Sequence, residues 1–130
     1  MYQNINKGIK KLLNEANSIV NTVSVEQAKL YLNSKEHLFI DLRDYREILK
    51  SGRIPGSYSC PRGMLEFWID PLSPYHKKYF NQKKTYIFYC ASAWRSALAA
   101  KSAIDMGLKP VYHIQGGFTE WVKQGGKIIK

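Results

Sequence analysis

Cys90, Arg95 and Ser96 stand close together in the stretch Tyr86-Ile87-Phe88-Tyr89-Cys90-Ala91-Ser92-Ala93-Trp94-Arg95-Ser96. The apolar run up to Cys90 reads as a buried strand, and Arg95-Ser96 as the opening of a helix. Where a strand end turns into a helix start, backbone N–H groups converge and the helix dipole favours negative charge. A thiol held there tends towards the thiolate, the form that attacks electrophiles. Arg95 adds a fixed cation whose fork of donors suits oxyanions, and Ser96 can cap the helix or donate a hydrogen bond. Ala91, Ser92 and Ala93 are small, which leaves the backbone room to curl into a nest for an anion. Two readings fit these residues: a nucleophilic thiolate, or an inert cysteine at the end of a buried strand.

The surrounding chain must supply the scaffold. Ile5, Ile9, Leu12, Leu13, Ala16, Ile19 and Val20 trace one face of a first helix. Asn21-Thr22-Val23 breaks it, and Ser24 with Gln27 forms a capping box for a second helix that closes at Asn33-Ser34. Leu38 to Leu42 reads as a central strand ending in the acid Asp41, followed by a short helix over Tyr45 to Leu49. Gly52-Arg53-Ile54-Pro55-Gly56-Ser57 is a turn-rich connection. Arg62 to Ile69 is a short helix between breaks at Pro61 and Pro71, and the helix after Cys90 runs to Met106, where Gly107 stops it. Val111 to Ile114 is another strand, and Gly116-Gly117 feeds a last helix over Phe118 to Lys123. Strands alternating with helices imply an α/β fold with a parallel sheet and helices on both faces. Ligands of such folds bind beyond the carboxyl ends of the strands, where Asp41, Cys90 and Ile114 all lie.

Composition narrows the function classes. A chain of 130 residues, 45% hydrophobic and 23% charged, fits one domain with a core of its own. No apolar run nears the length needed to cross a bilayer, and the N-terminal residues Met1 to Gly8 lack the features of a secretory signal. The expected setting is the cytoplasm, with no membrane partner. Cys60 and Cys90 are the two cysteines, without a C-x-x-C, and each reads as a free thiol. His37, His76 and His113 are scattered singly, so no metal or other cofactor is expected. The net charge of +10 favours anionic partners, but the lysines are dispersed and no nucleic-acid motif occurs, so a solvated basic surface is expected.

Four pieces, taken in order, resemble the rhodanese family: Asp41-Leu42-Arg43 with Glu47; Gly52-Arg53-Ile54-Pro55-Gly56-Ser57; Cys90 to Ser96; and Gly116-Gly117-Phe118 with Trp121. The family's usual patterns at these places are D-V-R with a following E, G-H-I-P-G-A, C-x-x-x-x-R-S and G-G-x-x-x-W. The resemblance implies a three-layer α/β domain over residues 24–130, with residues 1–23 as an N-terminal helical extension. It further implies sulfur transfer: Cys90 takes the outer sulfur of a small anionic donor such as thiosulfate, and a thiol or cyanide removes it from the resulting persulfide. On this expectation Cys90 is catalytic, and Ala91, Ser92, Ala93, Trp94, Arg95 and Ser96 form the substrate-binding loop. Asp41 and Arg43 support it, Asp41 by bonding the loop and Arg43 by pairing with Glu47 one helical turn on. Arg62 has two readings, one at the mouth of the site and one as a surface residue. Two positions depart from the pattern: Ala93 stands where the family often has glycine, and Trp94 is bulky enough to cover the thiol or to offer an acceptor an apolar platform.

Two other readings remain. Cysteine phosphatases and arsenate reductases also set a cysteine in an amide cradle with an arginine, but they resemble C-x5-R, and four residues separate Cys90 from Arg95. A domain that carries sulfur, or binds a partner, without turnover would keep the same cysteine. Cys60 has no assigned role in any of these.

Overall fold

The structure, a computed structural model, describes residues 2–130. Met1, the first residue of the expected extension, lies outside the described residues. Helix α1 (Ile9–Ile19) leads into strand β1 (Asn21–Val23) and helix α2 (Val25–Leu30); strand β2 (His37–Asp41), helix α3 (Tyr45–Ser51) and strand β3 (Tyr58–Ser59) follow. Helix α4 (Leu65–Ile69), strand β4 (Thr85–Tyr89), helix α5 (Trp94–Met106), strand β5 (Val111–Ile114) and helix α6 (Gly117–Lys123) complete the fold. The five strands form one sheet in the order β1-β5-β4-β2-β3, and every pairing is parallel.

Because side chains alternate along a strand, β2 and β4 each feed two cores. Leu38, Ile40, Tyr86 and Phe88 point to one side, where they meet Ala99, Ala100 and Ala103 of α5 and Leu65 and Ile69 of α4. Phe39, Ile87 and Tyr89 point to the other, against Val25 and Ala28 of α2 and Phe118 and Trp121 of α6. Alanines on the inner face of α5 let that helix lie close to the sheet. These are the three layers expected from the sequence, and the two central strands, buried on both faces, are its continuous apolar runs.

Two sheet edges differ from the sequence reading. Asn21-Thr22-Val23, read as a break, is strand β1, with Asn21, Thr22 and Val23 beside Tyr112, His113 and Ile114. Tyr58-Ser59, assigned to no element from the sequence, is strand β3 and pairs with Ile40 and Asp41. Both are edge strands of two or three residues, too short to show an alternation. The first helix begins at Ile9 rather than Ile5; Ala16 and Val20 are buried and α1 packs on α5, while Ile5, Ile9, Leu12 and Ile19 remain exposed.

Candidate active site

Cys90 immediately follows β4, the third of the five strands and flanked by β2 and β5, so the loop starts from the middle of the sheet. The loop is held from below by α6: Phe118 N donates to Cys90 O at 2.7 Å and Thr119 N to Ala91 O at 3.1 Å. Gly117 makes this approach possible. A Cβ there would sit 2.5 Å from Cys90 O and 2.7 Å from Ala91 O, and its φ of +65° suits glycine. The chain then turns through Ala93, whose φ of +75° is in the left-handed region, and α5 starts at Trp94.

This turn brings the start of α5 onto the thiol. Ser96 N donates to Cys90 Sγ at 3.3 Å, and Ser96 Oγ lies 3.7 Å from the same sulfur. The Ser96 amide is among the first in the helix, which have no intrahelical acceptor, so it is available to a thiolate. Cys90 itself is 1% exposed. Behind it a chain of contacts continues: Ser96 Oγ to His113 Nδ1 at 2.9 Å, then His113 Nε2 to Thr22 Oγ1 at 3.2 Å. His113 is 3% exposed, and burial pushes its pKa down to about 4, so the ring is neutral near pH 7.

Arg95 does not stand free. Its guanidinium makes a two-pronged pair with Glu47, 2.8 Å and 3.0 Å long. Glu47 is held in turn by the cap of α3, where Asp44 N donates to Glu47 Oε2 at 3.0 Å. Hydrogen bonding to Arg95 holds the Glu47 carboxyl below its usual range, and the same pair raises the arginine's pKa. The expected pairing of Glu47 with Arg43 is therefore replaced by one across the site. Glu47 sits in the first turn of α3 and faces the loop, whereas Arg43 folds back on its own strand end.

Asp41 likewise bonds Arg43 rather than the active-site loop. Arg43 N and Nε each donate to Asp41 Oδ1 at 3.0 Å, and a terminal nitrogen reaches Asp41 Oδ2 at 2.7 Å. Arg43 also donates to Gly52 O at 2.7 Å and lies 4.1 Å above the Phe118 ring. Both partners of this ion pair are buried. The pair locks the end of β2 to the start of the Gly52–Ser57 turn, which Tyr89 Oη joins by donating to Ser57 Oγ at 3.1 Å. Arg62 lies elsewhere: it donates to Glu66 at 3.0 Å and to Ser102 Oγ of α5 at 3.3 Å, fastening α4 to the flank of that helix.

Open clefts flank the loop on both sides. One, of about 370 Å³, is lined by Glu47, Lys50, Ala91, Phe118, Thr119 and Val122 among others, and so joins cationic and apolar walls. The other, of about 320 Å³, is lined by Thr22, Ser92, Ala93, Trp94 and His113 among others. Trp94 is 60% exposed and projects into solvent from the helix start. Cys60 is wholly buried, and burial pushes its thiol up to about 12. Both cysteines are free. Among the described residues no three His, Cys, Asp or Glu side chains gather as metal ligands, and no helix is long and apolar enough to cross a membrane.

The structure gathers Cys90, Arg95 and Ser96 at one loop and adds Glu47, His113 and Thr22, to which the sequence reading assigned no part in the loop's own chemistry. Glu47 carried a signal, a carboxylate at the third position of a capped helix after a strand-end acid. His113 and Thr22 carried none, since their contact depends on β1 joining β5.

Comparison with known proteins identifies a family. The model of the rhodanese-like domain matches residues 24–124. The chain is 34% identical over 106 residues to mouse thiosulfate sulfurtransferase/rhodanese-like domain-containing protein 3, covering 77% of this chain and 67% of that protein. A solved structure from Rhodopseudomonas palustris, described as a protein of unknown function and possible tyrosine phosphatase, is 54% identical with a TM-score of 0.96 and covers 99% of both chains. The thiosulfate sulfurtransferase of Pseudomonas aeruginosa shares the fold, with a TM-score of 0.73 at 24% identity over 93% of this chain and 22% of that one. This chain belongs to the rhodanese-like domain family.

Proposed function

We propose that the protein is a sulfurtransferase that works through a persulfide on Cys90. The observation that carries this reading is the thiol at the end of β4, facing the Ser96 amide at the start of α5. The Cys90 thiolate attacks the outer sulfur of thiosulfate, the S–S bond breaks, and sulfite leaves with the bonding electron pair. Cys90 then holds the sulfur as a persulfide anion. In the second half-reaction cyanide attacks the terminal sulfur, thiocyanate leaves and the Cys90 thiolate is restored; a cellular thiol takes the sulfur in the same way. Two half-reactions on one nucleophile give ping-pong kinetics.

The surrounding groups fit an anionic donor. Arg95 supplies positive charge beside the sulfur, and the start of α5 supplies an N–H and the dipole. Lys50 carries the same sign into the larger cleft, whose apolar wall of Phe118 and Val122 suits the carbon skeleton of an acceptor thiol. Both free cysteines fit a reducing compartment such as the cytoplasm.

The description of the R. palustris relative raises phosphate-ester hydrolysis as a second reading. Four residues between Cys90 and Arg95 make a tighter loop than the five of cysteine phosphatases, which favours a single sulfur atom over a tetrahedral phosphate. The intact mass after thiosulfate treatment tests the proposal. One added sulfur on the Cys90 peptide is expected, lost in Cys90→Ser and kept in Cys60→Ala, with repeated release of sulfite when cyanide is present. Hydrolysis of an aryl phosphate without consumption of thiosulfate overturns it. A single sulfur per chain, passed on without turnover, identifies a carrier instead.

A further inference from the structure

Sulfur transfer as written leaves one buried titratable side chain in the site without a part: His113. It is not a surface residue that happens to lie near. Its ring spans the distance between the Ser96 hydroxyl, at 2.9 Å from Nδ1, and Thr22 Oγ1, at 3.2 Å from Nε2. Ser96 Oγ in turn lies 3.7 Å from Cys90 Sγ. The inner three members of this chain, Cys90, Ser96 and His113, are buried, while Thr22 is exposed on the edge strand beside the cleft that His113 and Trp94 line. A continuous line of hydrogen-bonding groups therefore runs from an enclosed sulfur to solvent.

We propose that His113 is a positioning residue for Cys90, aiming the Ser96 hydroxyl at the sulfur and, through Thr22, connecting the thiol proton to solvent. With Cys90 as a thiol, S–H donates to Ser96 Oγ, Ser96 O–H to His113 Nδ1, and His113 Nε2–H to Thr22 Oγ1. On ionisation the S–H bond breaks and its proton goes to Ser96 oxygen. The Ser96 proton passes to Nδ1, the Nε2 proton passes to Thr22, and the Thr22 hydroxyl proton goes to water or a buffer base in the cleft. The ring changes tautomer and stays neutral throughout, as its depressed pKa requires. In the product state Nδ1–H holds Ser96 Oγ, and Ser96 O–H donates to the thiolate alongside the Ser96 amide. The charged group that bears on Cys90 from α5 is Arg95, paired with Glu47 of α3; from β5 and β1 it is met by the neutral His113 and Thr22.

The proposal rests on Cys90 being the nucleophile, and its test reads the thiolate without any sulfur donor. Alkylation of Cys90 by iodoacetamide, followed by peptide mass across pH, gives a rate whose midpoint is the apparent thiol pKa. His113→Leu is expected to raise that midpoint by about one pH unit, a loss of about tenfold in rate below it. Thr22→Val, a β-branched replacement on an exposed strand position, is expected to slow the rate about threefold through the lost outer hydrogen bond. Thermal unfolding identifies any variant that has not folded; should His113→Leu fail, Thr22→Val decides. An unchanged midpoint in folded His113→Leu, or an unchanged rate in Thr22→Val where His113→Leu has not folded, with fast wild-type alkylation, overturns the relay and leaves sulfur transfer standing. A wild-type Cys90 no faster than Cys60 overturns the nucleophile assignment and the relay with it.

Discussion

Arg95 shows how one residue type can be legible in a sequence while its working state is not. Its position after the cysteine marks it as the cation of the loop, yet the structure spends both prongs of its guanidinium on Glu47. In the proposed sulfur transfer, an anionic donor must either bind beside this pair or draw Arg95 part-way from it. The pair is exposed by more than a third on both side chains, so solvent screens it and its contribution to stability is under about 1 kcal/mol. Arg95→Ala is therefore expected to raise the KM for thiosulfate about tenfold while shifting the thermal midpoint little. Arg95→Lys is not expected to restore KM, because a point charge cannot keep the two-pronged hold on Glu47. Steady-state kinetics against thiosulfate, with cyanide saturating, measure both; an unchanged KM in Arg95→Ala would remove the residue from donor binding. Cys90, Arg95 and Ser96 were readable because they lie within one stretch of seven residues. Glu47, Thr22 and His113 were not assigned to the site because only the sheet order β1-β5-β4-β2 brings β1, β5 and the start of α3 to the same strand ends.

At the scale of elements, the loop is fixed by backbone conformation at two residues, and they predict opposite outcomes. Ala93 holds φ at +75° without being glycine, which costs an L-residue roughly 1–2 kcal/mol. Ala93→Gly removes that strain but adds unfolded-state freedom worth about 0.5–1 kcal/mol, so a net gain of about 0.5–1 kcal/mol is expected in denaturant unfolding. Gly117 is the reverse case. Gly117→Ala both strains a φ of +65° and drives a methyl into the Cys90 and Ala91 carbonyls, so a loss of about 2 kcal/mol or more is expected, together with slower Cys90 alkylation as the loop is pushed off α6. Equal stability of Gly117→Ala and wild type would show that the loop does not depend on α6. The central strands and α5 were legible because their apolar runs and helical spacing extend over whole elements. The edge strands β1 and β3 were not: with two or three residues and one paired side, their existence is decided by neighbours far along the chain.

For the whole molecule, the neutral buried His113 makes stability depend on pH in a defined window. In the unfolded chain histidine takes up a proton near 6.5, whereas burial lowers the folded value to about 4. Between these values the unfolded state binds a proton that the folded state refuses, so unfolding is favoured as pH falls. Above about 6.5 both states are neutral at this position and the full stability is present. Below about 4 both are charged and the loss no longer grows. The gap corresponds to about 3 kcal/mol, a large part of the 5–15 kcal/mol that holds a typical domain together. The groups facing the ring, Ser96 from α5 and Thr22 from β1, are hydroxyls that bond either tautomer but cannot compensate a charge, which is why burial governs the shift. Chemical denaturation at intervals from pH 7.5 to 4 is expected to show wild type losing more stability than His113→Leu across that window. The variant starts lower, having lost the Ser96 and Thr22 hydrogen bonds, but its profile should be flatter by about 3 kcal/mol. Parallel profiles for the two proteins would mean that His113 takes its proton in the folded state near 6.5, and that the ring is then a cation beside Cys90 rather than the neutral link between its sulfur and solvent.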